Sequence, residues 1–160
     1  MRSSTRCQII FLYIFDELMI PKMYKLTSKD IRYISYKSYK KRCEFGTLMM
    51  IRQYPNRLHH QIGVAVSSKL HKSSVKRNLI KRILYALLYQ HIDILTHGNI
   101  YVKCFFVINC HNIQLRTLLA HISSKEYYTI YTYCQDHIMH PAFTSLFKSC
   151  TRSLDTLNFD

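Results

Sequence analysis

Seven polar residues between positions 69 and 82 carry the strongest chemical signal in the chain: Lys69, Lys72, Lys76, Arg77, Asn78, Lys81 and Arg82. Arginine offers a planar fork that can hold two phosphate oxygens, and lysine a compact point charge. Asn78, beside Arg77, can bond a phosphate, a 2′-hydroxyl or a base edge. From Phe45 to Ile92 there is no acidic residue, while these six cations plus Arg52 and Arg57 fall in the same span. A merely solvated basic helix would set Glu four residues from Lys, because such pairs support exposed helices. Their absence favours phosphate binding. Other constellations are weaker: Cys104, Cys110 and His111, or Cys134, His137 and His140, lack the spacing of a zinc site. No thiol is marked as an activated nucleophile. No catalytic residue and no metal ligand is therefore expected on the protein.

The elements that must position these residues belong to a chain of 160 residues, with 23 Lys+Arg against 9 Asp+Glu and a formal charge of +14. With 48% hydrophobic and 13% aromatic residues the chain can bury a core, so a disordered basic tail is excluded. Its length suits one domain with tails. The charge points to a polyanionic partner. No apolar run approaches the roughly 20 residues of a membrane span, so an integral membrane protein is not expected. Of the two polyanions, nucleic acid and an anionic membrane surface, the expected partner is nucleic acid and not membrane. The 6 cysteines include no CxxC pair and read as reduced thiols of a cytoplasmic protein. Residues 1–24 read as an N-terminal extension, 25–140 as the domain and 141–160 as a C-terminal tail. The apolar stretch 9–15 follows Arg2 and Arg6 in the manner of a signal peptide, but Asp16 and Glu17 interrupt it and no small-residue cleavage site follows.

Within the domain, Thr27 or Ser28 can cap a helix through Asp30, Ile31, Ile34 and Tyr36, with Gly46 ending that region. Residues 47–52 read as a strand, and Pro55-Asn56 as a turn. In 61–67, Ile62, Val64 and Val66 alternate with Gly63, Ala65 and Ser67, the period of a strand with one well-filled face. Ser73 or Ser74 then caps a helix over 75–90. At 100° per residue, Leu79, Ile80, Ile83, Ala86 and Leu87 form one stripe of it. Arg77, Asn78, Lys81, Arg82, Tyr85 and Tyr89 form the other, with Leu84 and Leu88 on the border. Residues 100–108 read as a buried strand. A helix carries Leu115, Leu118 and Leu119, and 127–134 suits a helix or a strand, its tyrosines serving packing. The result is an α+β fold, a single small α/β sandwich in the order α-β-β-α-β-α.

The run Ile62-Gly63-Val64-Ala65-Val66-Ser67-Ser68-Lys69, followed by Lys76-Arg77-Asn78-Leu79-Ile80-Lys81-Arg82, resembles the signature of the bacterial ribonuclease P protein subunit. That family joins a strand ending in Ser-Lys-Lys or Ala-Lys-Lys to a helix carrying Arg-Asn-Arg-x-Lys-Arg. The resemblance is specific over 62–88 and extends more weakly over 26–108. It implies the same element order with a left-handed βαβ crossover, against the general preference for right-handed ones. It also implies that the seven residues from Lys69 to Arg82 contact a catalytic RNA. Leu79 stands where the family has a second Arg and Ser68 where it often has Lys, which thins the cationic stripe. Family aromatics that line a groove for the 5′ leader of precursor tRNA align with Ile31 and Ser35. Tyr33 and Tyr36 lie close by and are assigned that role, since an aromatic face accepts any base. The resemblance places the hydrolysis on the RNA, with Mg²⁺ bound mainly by it and none by the protein alone. The partners implied are the ribonuclease P RNA and precursor tRNA, with no protein partner. The alternative reading, a non-enzymic ribosome-associated RNA-binding protein, shares the basic helix and needs no leader groove.

Overall fold

The computed structural model describes residues 20–92, 100–121, 131–133 and 136. A 3-10 turn at Lys22–Tyr24 leads into α1 (Ser28–Lys37), β1 (Tyr39–Cys43), β2 (Gly46–Arg52), β3 (Gln61–Ala65), α2 (Ser74–His91), β4 (Val102–Ile108) and α3 (Ile113–His121). The strands form one sheet in the order β1-β2-β4-β3. β2 is antiparallel to both β1 and β4, whereas β3 runs parallel to β4. β3, α2 and β4 thus form the βαβ unit in which the resemblance places its crossover.

The expected order needs one strand added. β1, Tyr-Lys-Lys-Arg-Cys, has three exposed cations and only half-buried ends, so no apolar alternation announces it. Its existence depends on a partner: it pairs along its whole length with β2, from Tyr39 opposite Met50 to Cys43 opposite Gly46. As the outer strand of the sheet, its charges also discourage pairing with another chain. Glu44 and Phe45 make the turn, and β4's end holds it, since Asn109 N–H donates to Phe45 O at 2.8 Å.

Gly46 opens β2 instead of ending the helical region. A Cβ there would lie 2.3 Å from Val107 O and 2.7 Å from the Phe106 ring. Gly46→Ala should therefore cost about 3 kcal/mol, the upper end of overpacking, because one of the two obstacles is backbone. Thermal unfolding checks this. A drop of roughly 10 °C or more is expected, and an unchanged melting temperature would show that the strand gives way freely.

Register sorts the sheet into two faces. Leu48, Met50, Ile62, Val64, Cys104 and Phe106 share one face and belong to the main core with Ile80, Ile83, Leu84 and Leu87 of α2 and Leu115 and Leu119 of α3. Each such side chain, fully buried, contributes about 1.5–3 kcal/mol. The other face carries Met49, Lys103, Phe105 and Gly63 and is covered by α1, whose buried residues are Asp30 and Ile34. β3 consequently has both faces filled, where its alternation predicts one. A Cβ on Gly63 would meet Leu26 and Phe105, each at 3.0 Å, so the small residues of this strand mark close approach. The main-chain N–H of Leu26 donates to Ile62 O at 2.9 Å and covers the free edge of β3. Packing begins before residue 25: Ile20 is buried in the core and Tyr24 packs against it.

Of the residues 127–134, only 131–133 are described; Tyr131 and Tyr133 pack against the core. The expected extension up to residue 19, the turn 97–99 and the tail 141–160 lie outside the described residues. No described helix is long and apolar enough to cross a membrane.

Candidate nucleic-acid interface

After β3 the chain turns at Ser67, whose carbonyl accepts the Leu70 N–H at 3.1 Å and whose hydroxyl accepts the Lys69 N–H at 3.2 Å. Leu70 is buried and anchors the loop, leaving Lys69 and Lys72 exposed beside it. Ser73 caps α2 by accepting the Lys76 N–H, the reading in which Ser74 is the first helical residue. Arg77 then closes the loop onto the helix: its Nη1 donates to His71 O at 2.6 Å and Lys72 O at 2.8 Å. These bonds use one nitrogen of a five-donor group, so the fork keeps donors for a phosphate. Lys76 has a second task as well. Its Nζ donates to Leu119 O at 2.5 Å, placing a cation near the C-terminal end of α3, where the helix dipole favours it.

Beyond this first turn, Asn78, Lys81 and Arg82 are exposed on the outer side of α2. Leu84 and Leu88, on the border by helical geometry, are buried with Ile80, Ile83, Ala86 and Leu87. The core takes them because the second half of α2 is enclosed on a wider arc than the first. Tyr85 is half-buried; burial raises its phenol above the ordinary value of 10.0 despite an opposing bond with the Val64 backbone, so it stays neutral at physiological pH. All seven residues from Lys69 to Arg82 thus gather at the N-terminal half of α2 and the loop before it. Of the acidic residues, only Asp30, Glu44 and Asp136 lie among those described.

Tyr33 and Tyr36 are elsewhere. They stand one helical turn apart on α1, 47% and 84% exposed, and α1 covers the face of the sheet opposite to α2. The structure therefore does not bring the two tyrosines to the basic helix. By register, the exposed cations Lys40 and Arg42 of β1 lie on the same face of the sheet as α1.

The cap of α1 is one of the two candidates expected from sequence, Thr27, whereas the ion pair that ties this helix to the sheet is absent from those expectations. Thr27 and Asp30 form a capping box: Thr27 Oγ1 accepts the Asp30 N–H at 3.3 Å, and the Asp30 carboxylate accepts the Thr27 N–H at 3.1 Å. The same carboxylate takes a 2.5 Å bond from Lys103 Nζ, a buried ion pair tying α1 to β4. The ammonium also lies 3.8 Å from the centroid of the Tyr54 ring. Burial, the largest influence on Asp30, pushes its carboxyl up, but the bonds from Lys103 and Thr27 together outweigh it and hold the group below its ordinary value of 3.8. The available signal was a single lysine inside the otherwise apolar run Val-Lys-Cys-Phe-Phe-Val-Ile. Among the described residues, no three His, Cys, Asp or Glu side chains form a group able to hold a metal ion.

Fold and site together define a single-sheet α+β protein that displays its cations on the crossover helix. The chain belongs to the ribonuclease P protein family, whose model, described as Ribonuclease P, matches residues 21–125. It is thus a protein subunit of an endoribonuclease complex of tRNA processing. Among solved structures, it is similar to the RNase P protein of Staphylococcus aureus, at 20% identity and a TM-score of 0.46 over 62% of this chain and 91% of that one. A mutant of that S. aureus protein with defective mRNA degradation activity matches at 22% identity and a TM-score of 0.48, covering 68% and 92% of the respective chains. The RNase P protein of Thermotoga maritima matches at 13% and 0.49, covering 68% and 88%. No curated protein sequence matches the chain.

Proposed function

We propose that this protein binds a catalytic ribonuclease P RNA through Lys69, Lys72, Lys76, Arg77, Asn78, Lys81 and Arg82, and the 5′ leader of precursor tRNA through Tyr33 and Tyr36. The observation that carries the reading is the gathering of these six cations and an amide on one loop and the N-terminal half of α2, with no acidic residue in the chain from Phe45 to Ile92. The chemistry belongs to the RNA, with Mg²⁺ bound mainly there. The protein supplies positioning and screens the repulsion between two RNAs, as cations placed against phosphates do. Such a complex would work in the cytoplasm.

With the tyrosines on α1 and the cations on α2, the two RNAs would meet separate faces of one sheet. Stacking on each exposed ring is worth about 1–3 kcal/mol per base. Lys40 and Arg42, on that face of the sheet, are suited to meet the leader's phosphates. The test is multiple-turnover cleavage of precursor tRNA by a bacterial ribonuclease P RNA at low Mg²⁺, with and without the protein. A protein-dependent rise in accurate 5′ cleavage is expected. Tyr36→Ala should reduce that rise for substrates with a long leader and spare those with one nucleotide. Equal loss on both would remove the leader assignment.

A further inference from the structure

Resting on the reading of α2 as an RNA-binding helix, we infer a second element of that surface: a pocket at the C-terminal end of α2 that takes one unpaired nucleobase. The pocket is a cavity of about 230 Å³ whose walls include Tyr24, His59, Tyr89 and Tyr101, with Ile62 and Ile92 among its apolar lining. Leu58, 72% exposed, is also part of the lining. The walls are built before any ligand arrives. Tyr24 meets His59 and Tyr89 edge-on, with ring centroids 5.6 Å and 5.5 Å away. His60, also in the lining, accepts the Val102 N–H on Nδ1 at 3.1 Å, which ties its ring to the start of β4.

Size and surroundings select the ligand. The volume falls below the roughly 300–1,000 Å³ of sites for drug-sized molecules, which suits a single planar ring system and leaves a sugar-phosphate outside. Aromatic walls with imidazole and phenol groups are what an unstacked base requires, a face to lie on and partners for its edge. Among the described residues, no acidic side chain lines the cavity.

The approach is cationic. At 100° per residue, Lys81, Tyr85, Asn78, Tyr89 and Arg82 occupy one continuous stripe of α2, cations toward its start and tyrosines toward its end. The exposed Lys25 continues that line, its Nζ 6.0 Å from the centroid of the Tyr85 ring. From Arg77 to Tyr89 the helix rises about 18 Å, at about 1.5 Å per residue. A strand of RNA held by its phosphates along the stripe therefore reaches the pocket with a base.

The experiment compares two probes with equal phosphate count, an oligoadenylate and an abasic phosphodiester oligomer, by fluorescence anisotropy at several salt concentrations. Wild-type protein should prefer the oligoadenylate. Tyr89→Ala and, as a second route into the same wall, His59→Ala should each cut that preference by about 5- to 150-fold, in line with about 1–3 kcal/mol per stacked base, with the salt slope unchanged. Tyr89→Phe should retain it. A preference unmoved in both alanine variants, alongside a reduced salt slope in Lys81→Ala, overturns the pocket and leaves the helix interface standing. A salt slope unmoved in both Lys72→Ala and Lys81→Ala sinks the interface reading and the pocket with it.

Discussion

Asp30→Ala is expected to cost about 3–5 kcal/mol of stability, because it strands the Lys103 ammonium in the interior against the Tyr54 ring with its counter-charge gone. A domain of this size has only about 5–15 kcal/mol in total, so the loss is a large share of its stability. Lys103→Met should cost less, since the Asp30 carboxylate keeps its bonds from the Thr27 hydroxyl and N–H. The double variant, Asp30→Ala with Lys103→Met, should recover most of the loss, as removing both charges ends the desolvation penalty. Urea denaturation of the four proteins measures this, and equal stability of single and double variants would refute the coupling. The pH dependence follows from the direction of the shift. Asp30 is held below its ordinary 3.8, so its contribution is complete above that value and is lost as pH falls through the lower folded-state value. Below about pH 4 the gap between wild type and Asp30→Ala should therefore narrow.

The second large effect is on RNA binding. Lys72→Ala combined with Lys81→Ala removes two exposed cations and should weaken ribonuclease P RNA binding by about 100-fold, roughly tenfold per charge-assisted hydrogen bond. The slope of log affinity against log salt should fall by about two, one for each phosphate that is no longer neutralised. Stability should stay within about 0.5 kcal/mol of wild type, as for surface substitutions generally. Arg77→Ala makes an instructive contrast. Its guanidinium also holds the carbonyls of His71 and Lys72, so affinity and melting temperature should fall together. Filter binding over a salt series, with thermal unfolding of the same samples, separates the two behaviours. An unchanged slope in the double variant would show that Lys72 and Lys81 face solvent only.

The residues from Ile62 to Leu88 were legible because two local signals coincide there. The apolar residues of α2 follow the helical period, so its inner stripe can be read without knowing what it touches. Its outer stripe is a composition signal, cations without acids, which needs no tertiary partner either. Caps are equally local: Thr27 and Ser73 bond main-chain groups three residues on, and both were available as candidates from spacing alone. β1 was illegible for the opposite reason. Nothing in Tyr-Lys-Lys-Arg-Cys favours a strand until β2 offers its main-chain groups, and strand pairing joins residues by tertiary position.

The amino-acid sequence by itself determined the family, the basic helix and the candidate RNA-contacting residues, because each is written in residue types at short separations. Only the tertiary structure decided how these parts share a molecule. It placed Tyr33 and Tyr36 on the far side of the sheet from Arg77 and Lys81, a relation set by which face of β2 and β4 each helix covers. It paired Asp30 with Lys103 across 73 positions of chain, and it gave Lys76 and Arg77 structural bonds in addition to their charge. Long-range pairings of this kind arise from burial, where an ammonium must find a carboxylate or stay out of the core, and no local pattern encodes which carboxylate it finds.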